Sequence, residues 1–590
     1  MVAEDLSPYI EAFGDSTILT PNISRLANEG VKFTNVYSPS PVCSPSRFAI
    51  ATGIYPTRVG AHNMQIGSMI TGNKKVKPEL LEFIRANMPK DINPYQVVPP
   101  VEVKMHSEYL RENGYYCTNN FKEDYQFKPS PTSWNESSPK AHWRHRKENQ
   151  PFFSIFNFMI THESRLWVKA KDSLWVDKDL EVQLPPYIPQ TELAKQTMRR
   201  MYSNIKEMDY KVGEILKQLE EDGELENTII FWYTDHGGPL PRQKRLLYDS
   251  GLNLPLIIRF PEKASAGTVD NQLISFVDFL PSMLSILEIE PPEYLDGQAF
   301  LGKYKSGQKR KYIHAGADRF GGFRDMIRAV RNERFKYLKN LHPEKGYYLP
   351  SAYREKMPLM KEMLRLRDEG KLNEIQMQWF RTSKPKEELF DCLNDPHELN
   401  NLANNPEYKV ILEALRKECD NWMDEVNDKG FINEKDNFSD IKKVSDYWIA
   451  AQNRINLLAN HKTTFLKTHS ALCTFENNSF TNRNNTKAAI YVVRDPRNLI
   501  TSFAHHYSLN INQAFDFINN KNRMLLNDEY GQGDFGIATI LGNWSEHYKS
   551  WKNLKFSPIL IVKYEDLIKD TKNTFVSILN FLSTLMDIKI

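Results

Sequence analysis

The 590-residue chain has few cysteines and no long apolar run, and each shortage excludes a class of protein. Its five cysteines are odd in number and lack C-x-x-C spacing, which argues against a disulfide framework and a structural zinc site. No run of about 18 apolar residues occurs, so we expect no membrane-spanning helix and no membrane partner. The N-terminal residues carry no signal peptide. We therefore expect a cytoplasmic protein as the sequence stands, or a periplasmic one if a signal precedes it.

The chain also lacks an excess of charge of either sign. Its 77 basic and 74 acidic residues leave a net charge of +3, which gives no indication of a nucleic-acid partner. An acidic ligand would have to meet a local cluster of basic side chains. With 41% hydrophobic and 26% charged residues the composition is that of a globular protein. The length is too great for one core and predicts roughly two to four domains.

Strand and helix patterns alternate through the first half of the chain. Residues Phe152–Phe158 and 228–233 are continuous apolar runs, typical of strands covered on both faces, and 192–221 has helical periodicity. This alternation predicts a mostly parallel sheet with helices on both faces. His162 and Asp235 follow the two strands, at the sheet edge where such folds bind ligands.

One short stretch connects this pattern to a known chemistry. Residues 43–47 read Cys-Ser-Pro-Ser-Arg, and residues 52–58 read Thr-Gly-Ile-Tyr-Pro-Thr-Arg. This resembles the type I sulfatase signature, C-x-P-S-R followed by T-G-x-Y-P-T-R. In that family a maturation enzyme oxidises the cysteine to formylglycine, whose hydrated aldehyde is the nucleophile. One hydroxyl attacks sulfur and the other expels sulfate, so covalent catalysis divides one difficult step into two.

Further motifs extend the resemblance over about residues 1–430. Asp235-His236-Gly237 is similar to the family's D-[NH]-G, and residues 244–251 match K-x-x-x-Y-[ED]-x-G. Residues 388–402 resemble the family's C-terminal E-L-Y-D…N-D-P-x-E-x-N-N-L segment. The resemblance implies the alkaline-phosphatase-like α/β fold, a mixed sheet between helices with a smaller α+β subdomain. The sequence around Cys43 is most similar to the sulfamidase branch.

The resemblance also implies a set of site residues. The sulfate would be surrounded by Cys43, Arg47, Lys122, His162 and Lys244. A divalent cation, calcium, would be bound by Glu4, Asp5, Asp235 and His236. The family's G-K-x-H motif has its histidine where this chain has Asp124, so only the lysine is carried over. Because residues 3–6 resemble the end of the family's first strand, we expect that strand to be truncated: either the true start lies upstream, or the sheet has lost part of a central strand.

The last part of the chain resembles a different family, the PAPS-dependent sulfotransferases. The motifs are K-T-H, ending at residue 469, and R-D-P-R-N, beginning at residue 494. The residues that these motifs imply for catalysis and for the 3′-phosphate of PAPS are Lys467, His469, Arg494 and Ser502. The glycine-containing loop that cradles the 5′-phosphosulfate has no counterpart between 431 and 464. A nucleotide site without this cradle loses its phosphate donors, so we expect an incomplete P-loop-type α/β domain without PAPS-dependent transfer.

The sequence thus predicts four segments and one principal activity. They are a sulfatase catalytic domain at 1–310, its C-terminal subdomain at 311–430, a linker at 431–436 and a partial sulfotransferase-like domain at 437–590. The predicted activity is release of inorganic sulfate from a sulfated carbohydrate or aryl substrate, as an ester or an N-sulfo group. The alternatives are a phosphoester hydrolase of the same superfamily and an inactive fusion product.

Overall fold

We describe the protein from a computed structural model, which covers residues 1–64, 96–130, 132–432, 434, 441–506, 509–525 and 539–586. These residues form two compact units. The first unit contains the described residues up to 64 and from 104 to 434. The second unit contains residues 96–103 and those from 441 onward.

A mixed sheet is the framework of the first unit, and the described residues contribute nine strands to it. The order is β4-β3-β5-β1-β6-β7-β2-β8, with β9 also paired to β2. Neighbours are parallel from β4 to β6, whereas β7 runs antiparallel to β6 and β2. The strands are β1 Val2–Ala3, β2 Val31–Tyr37, β3 Tyr116–Asn120, β4 Glu136–Ser137, β5 Phe152–Phe158, β6 Ile230–Thr234, β7 Asn253–Arg259, β8 Thr268–Asp270 and β9 Ile274–Ser275.

The centre of this sheet brings three strand ends together. Strand β1 has only two residues, and Ala3 pairs with Phe158 of β5 on one side and with Thr234 of β6 on the other. All three strands are parallel, so their carboxyl ends lie at the same edge of the sheet. The residues that follow β1, β5 and β6 are therefore neighbours, as the sequence predicted.

Helices cover the sheet of the first unit. The long helix Glu192–Glu221 has the bounds that the sequence predicted, and it buries Met198, Ile205, Val212 and Leu216 along one stripe. That stripe packs in one core with the sheet residues Phe156 and Trp232. An amphipathic helix is stabilised mainly by burying its apolar face in this way. The other helices are Pro21–Glu29, Cys43–Thr52, Pro56–Val59, His106–Glu112, Arg165–Val168, Asp249–Leu252, Phe279–Ile286, Pro358–Asp368, Glu374–Met377 and Lys409–Glu425.

A second, antiparallel sheet follows in the first unit, in the order β10-β11-β12-β13. Its strands are β10 Ile313–Ala317, β11 Ile327–Arg331, β12 Phe335–Asn340 and β13 Glu387–Asp391. Strands β11 and β12 follow one another in the chain and pair as an antiparallel hairpin. Arg328, which is fully buried, bridges Asp318 and Asp428 and so attaches this sheet to the end of the unit.

The second unit contains short paired strands and helices. Its strands are β14 Thr474–Phe475, β15 Asn478–Ser479, β16 Ala489–Val493, β17 Met524–Leu525, β18 Thr539–Ile540 and β19 Ile559–Lys563. The two longest, β16 and β19, pair in parallel. Its helices are Ile441–Leu458, Pro496–His506, Ile511–Asn519, Trp544–Lys552, Tyr564–Lys569 and Thr571–Met586. Within the described ranges, no helix of either unit combines the length and the apolar character needed to cross a membrane.

Candidate active site

Cys43 is the first residue of the helix Cys43–Thr52, which is buried along its whole length. Pro45 is tolerated in this first turn because its missing N–H would have no partner inside the helix. The Ser46 hydroxyl donates a hydrogen bond to the Asp235 carbonyl and so ties the helix to the end of β6. The Cys43 Sγ lies 3.2 Å from His236 Nε2 and 3.5 Å from Lys244 Nζ.

Three carboxylates lie beside the cysteine. Glu4 and Asp5 follow β1, Asp235 follows β6, and all three are 0% exposed. The Asp5 N–H donates to Asp235 Oδ1 at 3.1 Å, and Asp5 has a positive φ of 44°. Possible metal-ligating atoms of Asp5, Cys43, Asp235 and His236 all lie within 4.8 Å of one another.

Three cations neutralise these carboxylates. Arg47 Nε lies 3.0 Å from Asp235 Oδ2, and another nitrogen of its guanidinium donates to Glu4. Lys122 also donates to Glu4 and lies 3.6 Å from Asp235. Lys244 Nζ is 3.0 and 2.9 Å from the two oxygens of Asp5. Buried charges are tolerated only in such paired arrangements.

The ionisation states follow from burial and from these pairs. Burial raises the pKa of Asp5, but the positive charge of Lys244 and a hydrogen bond from His236 hold it well below the usual value. The pKa of Glu4 is raised, because the cost of burial exceeds the effect of its cationic partners. Burial lowers the pKa of His236, yet Asp235 and the other anionic groups raise it to about 10. His162, whose pKa burial lowers to about 3, is neutral.

The residues present fit a hard divalent cation. Such cations prefer carboxylate oxygens, and the carboxylates of Glu4, Asp5 and Asp235 are buried together next to His236 Nε2, 3.0 Å from Asp5 Oδ1. His236 would have to lose a proton to bind the cation, since a ligating histidine is neutral. These residues could therefore hold the cation that the sequence predicts.

His162 completes the group of predicted residues in the first unit. Its Nε2 lies 3.5 Å from Lys244 Nζ and 3.9 Å from Asp5 Oδ2, and its Nδ1 lies 2.9 Å from the Ser164 hydroxyl. The structure thus brings nine predicted residues into one cluster, from both the sulfate and the cation sets. They are Glu4, Asp5, Cys43, Arg47, Lys122, His162, Asp235, His236 and Lys244.

The structure adds residues that sequence reasoning missed. The Glu163 N–H donates to Asp5 Oδ2 at 2.7 Å, and the Glu163 carboxylate accepts from Arg245 at 2.9 Å and lies 3.3 Å from Lys244. Glu163 directly follows His162, and Arg245 directly follows Lys244. Their adjacency to a predicted site residue was the sequence signal that could have identified them. Asp124 Oδ2 lies 3.7 Å from Lys122 Nζ, so the residue that departs from the family motif also reaches the cluster.

The four residues predicted for the second unit are not gathered in the same way. Lys467 and His469 are exposed and lie outside helices and strands. The Arg494 guanidinium follows β16 and lies 4.9 Å from the centre of the Tyr564 ring. Ser502 lies on the helix Pro496–His506. Among the described residues, the region where a phosphate cradle would be needed instead contains the helix Ile441–Leu458.

Comparison with family models gives three matches along the chain. The sulfatase family model matches residues 1–289, and the model for the C-terminal part of N-sulphoglucosamine sulphohydrolase matches residues 242–378. The sulfotransferase domain model matches residues 391–587. The match therefore changes from one family to the other near the end of the first unit.

Individual proteins give the same result. The chain is 52% identical over 470 residues to an ulvan-active sulfatase of Formosa agariphila, covering 74% of this chain and 76% of the relative. It is 24% identical to human N-sulphoglucosamine sulphohydrolase, over 72% of this chain and 90% of the relative. Among solved structures, a putative sulfatase from Bacteroides thetaiotaomicron has a TM-score of 0.52 at 19% identity, covering 72% of this chain and 92% of that one. This structural likeness confirms the predicted fold.

Proposed function

Because the chain belongs to the sulfatase family, we propose that Cys43, after oxidation to formylglycine, is the nucleophile with which it releases sulfate from a glycan. One observation carries this proposal. The Cys43 Sγ, which occupies the place of the reactive oxygens, lies within 4.0 Å of Asp5, His236 and Lys244. An unreactive buried cysteine has no need of such charged neighbours.

Oxidation of Cys43 requires a partner, a formylglycine-generating maturation enzyme. When hydrated, the aldehyde supplies one hydroxyl that loses its proton, attacks sulfur and displaces the glycan, which leaves as its alcohol after taking up a proton. The second hydroxyl then loses its proton and re-forms the aldehyde, which breaks the C–O bond to the sulfate and releases it. Since Cys43 lies in a completely buried helix, the maturation enzyme must act before this helix is packed. Ser46 and Arg47 then fix the helix against Asp235 and so hold residue 43 in place.

The positive side chains act on the sulfate group. Arg47, Lys122 and Lys244 present fixed charges. Burial lowers the pKa of Lys244, but the carboxylate of Asp5 raises it well above its usual value, so that Lys244 stays protonated. Neutral His162 lies 3.5 Å from Lys244 and adds a hydrogen-bonding group to the same ring. Fixed charges in a site that excludes water stabilise the developing negative charge of the transition state without reorganisation.

Glu4, Asp5, Asp235 and His236 would hold a divalent cation, which we propose is calcium because three of the four ligands are carboxylates. The cation would neutralise charge on the sulfate and on the nucleophile. The carboxylates themselves fix the site before substrate arrives. Asp5 is held by its N–H bond to Asp235 and by the N–H of Glu163.

We propose a sulfated polysaccharide as the substrate, and ulvan as the first one to test. The support is the 52% identity to an ulvan-active sulfatase, which covers 76% of that protein. Sulfated monosaccharides and aryl sulfates would then be smaller substrates for the same reaction.

We further propose that the second unit does not bind PAPS, although the sulfotransferase domain model matches residues 391–587, which include most of this unit. Its parallel sheet has only β16 and β19 in the described residues, and Lys467 and His469 are exposed. Phosphate binding needs converging donors, such as backbone N–H groups at a helix N-terminus. Lys467 and His469 lie outside any such arrangement.

The direct test replaces Cys43 and measures released sulfate from ulvan oligosaccharides by ion chromatography. The expected result is that Cys43→Ala has no activity, whereas Cys117→Ala, the control at another fully buried cysteine, keeps most of it. The same preparations are tested on phosphorylated sugars, which we expect to be poor substrates. Sulfate release by the Cys43→Ala protein, or a preference for phosphate esters, would overturn the proposal.

A further inference from the structure

Asn157 is one of two polar residues in strand β5, the other being Ser154, and both the oxygen and the nitrogen of its carboxamide form hydrogen bonds. Its Oδ1 accepts a hydrogen bond from Arg47 NH1 at 2.8 Å. Its Nδ2 donates to Asn119 Oδ1 at 3.1 Å and to the Asn120 carbonyl at 3.2 Å. The side chain therefore connects the signature helix to the end of β3.

The end of β3 leads directly to Lys122. Asn119 Nδ2 donates to the Lys122 carbonyl at 3.3 Å, and Asn119 Oδ1 accepts from the Lys122 N–H at 3.5 Å. Asn119 is also held by the Ser137 hydroxyl at 3.0 Å. Asn119 thus fixes the backbone from which the Lys122 side chain reaches Glu4.

We propose that Asn157 is a positioning residue that sets the distance between the two sulfate-facing cations, Arg47 and Lys122. This inference rests on the role proposed above for those two cations. The guanidinium of Arg47 is held by Glu4 and Asp235 on two of its nitrogens, and Asn157 is the neutral acceptor for a third. A neutral acceptor completes the hydrogen bonding of Arg47 without adding a further negative charge beside the sulfate.

Only a carboxamide can fill this position. An aspartate would keep an acceptor for Arg47, but it would place a carboxylate oxygen against the oxygens of Asn119 and Asn120. An alanine would lose both connections and leave Arg47 and Asn119 each without one partner. Because displacing a catalytic group by about 1 Å can lower the rate by as much as 10²-fold, both changes should be seen in catalysis.

The test compares Asn157→Asp and Asn157→Ala with the wild type, each as the full chain with its aldehyde content measured. The expected kcat per aldehyde falls in the order wild type, Asp, Ala, with a loss of about 10- to 100-fold for Ala. We expect kcat to fall by a larger factor than KM rises. Displaced cations lose more of their interaction with the transition state than of their interaction with the bound substrate. An Asn119→Ala/Asn157→Ala double variant should lose little more than the single variants, since the two residues act as one unit.

The matched control is Ser154→Ala. It removes the 2.7 Å hydrogen bond between Thr118 and Ser154, which joins the same two strands without touching Arg47 or Lys122. We expect this variant to keep the wild-type kcat. The positioning role is wrong if the wild type is active and Asn157→Ala has the same kcat. It is also wrong if Ser154→Ala lowers kcat as much as Asn157→Ala does. If the wild type itself releases no sulfate, the proposed function fails instead.

A binding measurement removes the dependence on turnover. In a Cys43→Ser background, inorganic sulfate should bind about 10-fold more weakly when Asn157 is replaced by Ala, as measured by calorimetry, if the cations have moved. Unchanged sulfate affinity together with unchanged kcat would overturn the inference.

Discussion

Replacement of Lys244 by methionine tests the charge balance of the site most severely. Lys244 Nζ lies within 3.5 Å of Cys43, Asp5 and Glu163, and the residue is 4% exposed. Methionine has a similar volume but no charge, so the two carboxylates remain buried with fewer partners. Removal of one member of a buried ion pair costs about 3–5 kcal/mol, because the other charge is left uncompensated. We therefore expect the free energy of unfolding of the first unit to fall by about 3–5 kcal/mol.

The assay is urea unfolding followed by tryptophan fluorescence in a buffer with a metal chelator. A second variant tests whether the unpaired charge causes the loss of stability. Lys244→Met combined with Asp5→Asn removes both charges of the closest pair. This double variant should recover much of the lost stability, because exchange of both partners for neutral groups is often nearly neutral. The control is Lys211→Met, whose lysine is 45% exposed and pairs only with Glu214 in the described residues, so a loss of at most about 1 kcal/mol is expected. A Lys244→Met protein as stable as the control would refute the charge balance described here.

Three further predictions concern regions outside the site. Burial lowers the pKa of His106 from 6.5 to about 3, so between pH 6.5 and pH 3 only the unfolded chain takes up a proton at this residue. The free energy of unfolding therefore falls by about 1.4 kcal/mol for each pH unit below pH 6.5. His106→Leu should remove this part of the slope in unfolding measured between pH 7 and 5, whereas replacement of the partly exposed His342 should leave it. Arg328→Leu should lower the free energy of unfolding by about 3–5 kcal/mol, because Asp318 and Asp428 would lose their shared partner; an effect no greater than that of a surface ion-pair mutation in chemical denaturation would contradict this. The full chain should not be retained on immobilised adenosine 3′,5′-bisphosphate, and specific elution with the free nucleotide would show that the second unit binds it.

The sequence was most informative where several residues have to be adjacent in the chain. The signature at residues 43–47 places Cys43 and Arg47 one helical turn apart, so both reach the same cluster. Glu4 and Asp5 were predicted from the resemblance of residues 3–6 to the end of the family's first strand, and the structure places both, fully buried, beside Asp235. The long helix was predicted to its bounds because its apolar periodicity is strong over thirty residues.

Sequence reasoning was weakest for residues whose role depends on a distant partner. Asn157 lies in a run that indicates only a buried strand, and its contacts are with Arg47 and Asn119, 110 and 38 residues away. Glu163 was not predicted, because the family resemblance pointed only to the adjacent His162. The backbone N–H of Glu163 nevertheless donates a hydrogen bond to Asp5. Such contacts arise from the order of strands in the sheet, which periodicity in a single strand does not encode.

The second unit shows the limit of motif matching. The resemblance of its motifs to the sulfotransferases was predicted, and the match to that family confirms the ancestry. A motif shows which residues a family uses, but a phosphate site requires that they converge. Here Arg494 contacts the Tyr564 ring, whereas Lys467 and His469 are exposed to solvent.

Mass spectrometry of the peptide that contains residue 43 tests the central claim most directly. The chain is produced with and without a formylglycine-generating enzyme, and the fraction of aldehyde at residue 43 is compared with the rate of sulfate release from ulvan oligosaccharides. We predict that the thiol is converted to an aldehyde only in the first preparation, and that the rate is proportional to the aldehyde fraction. Sulfate release by a preparation in which residue 43 is entirely a thiol would contradict the account.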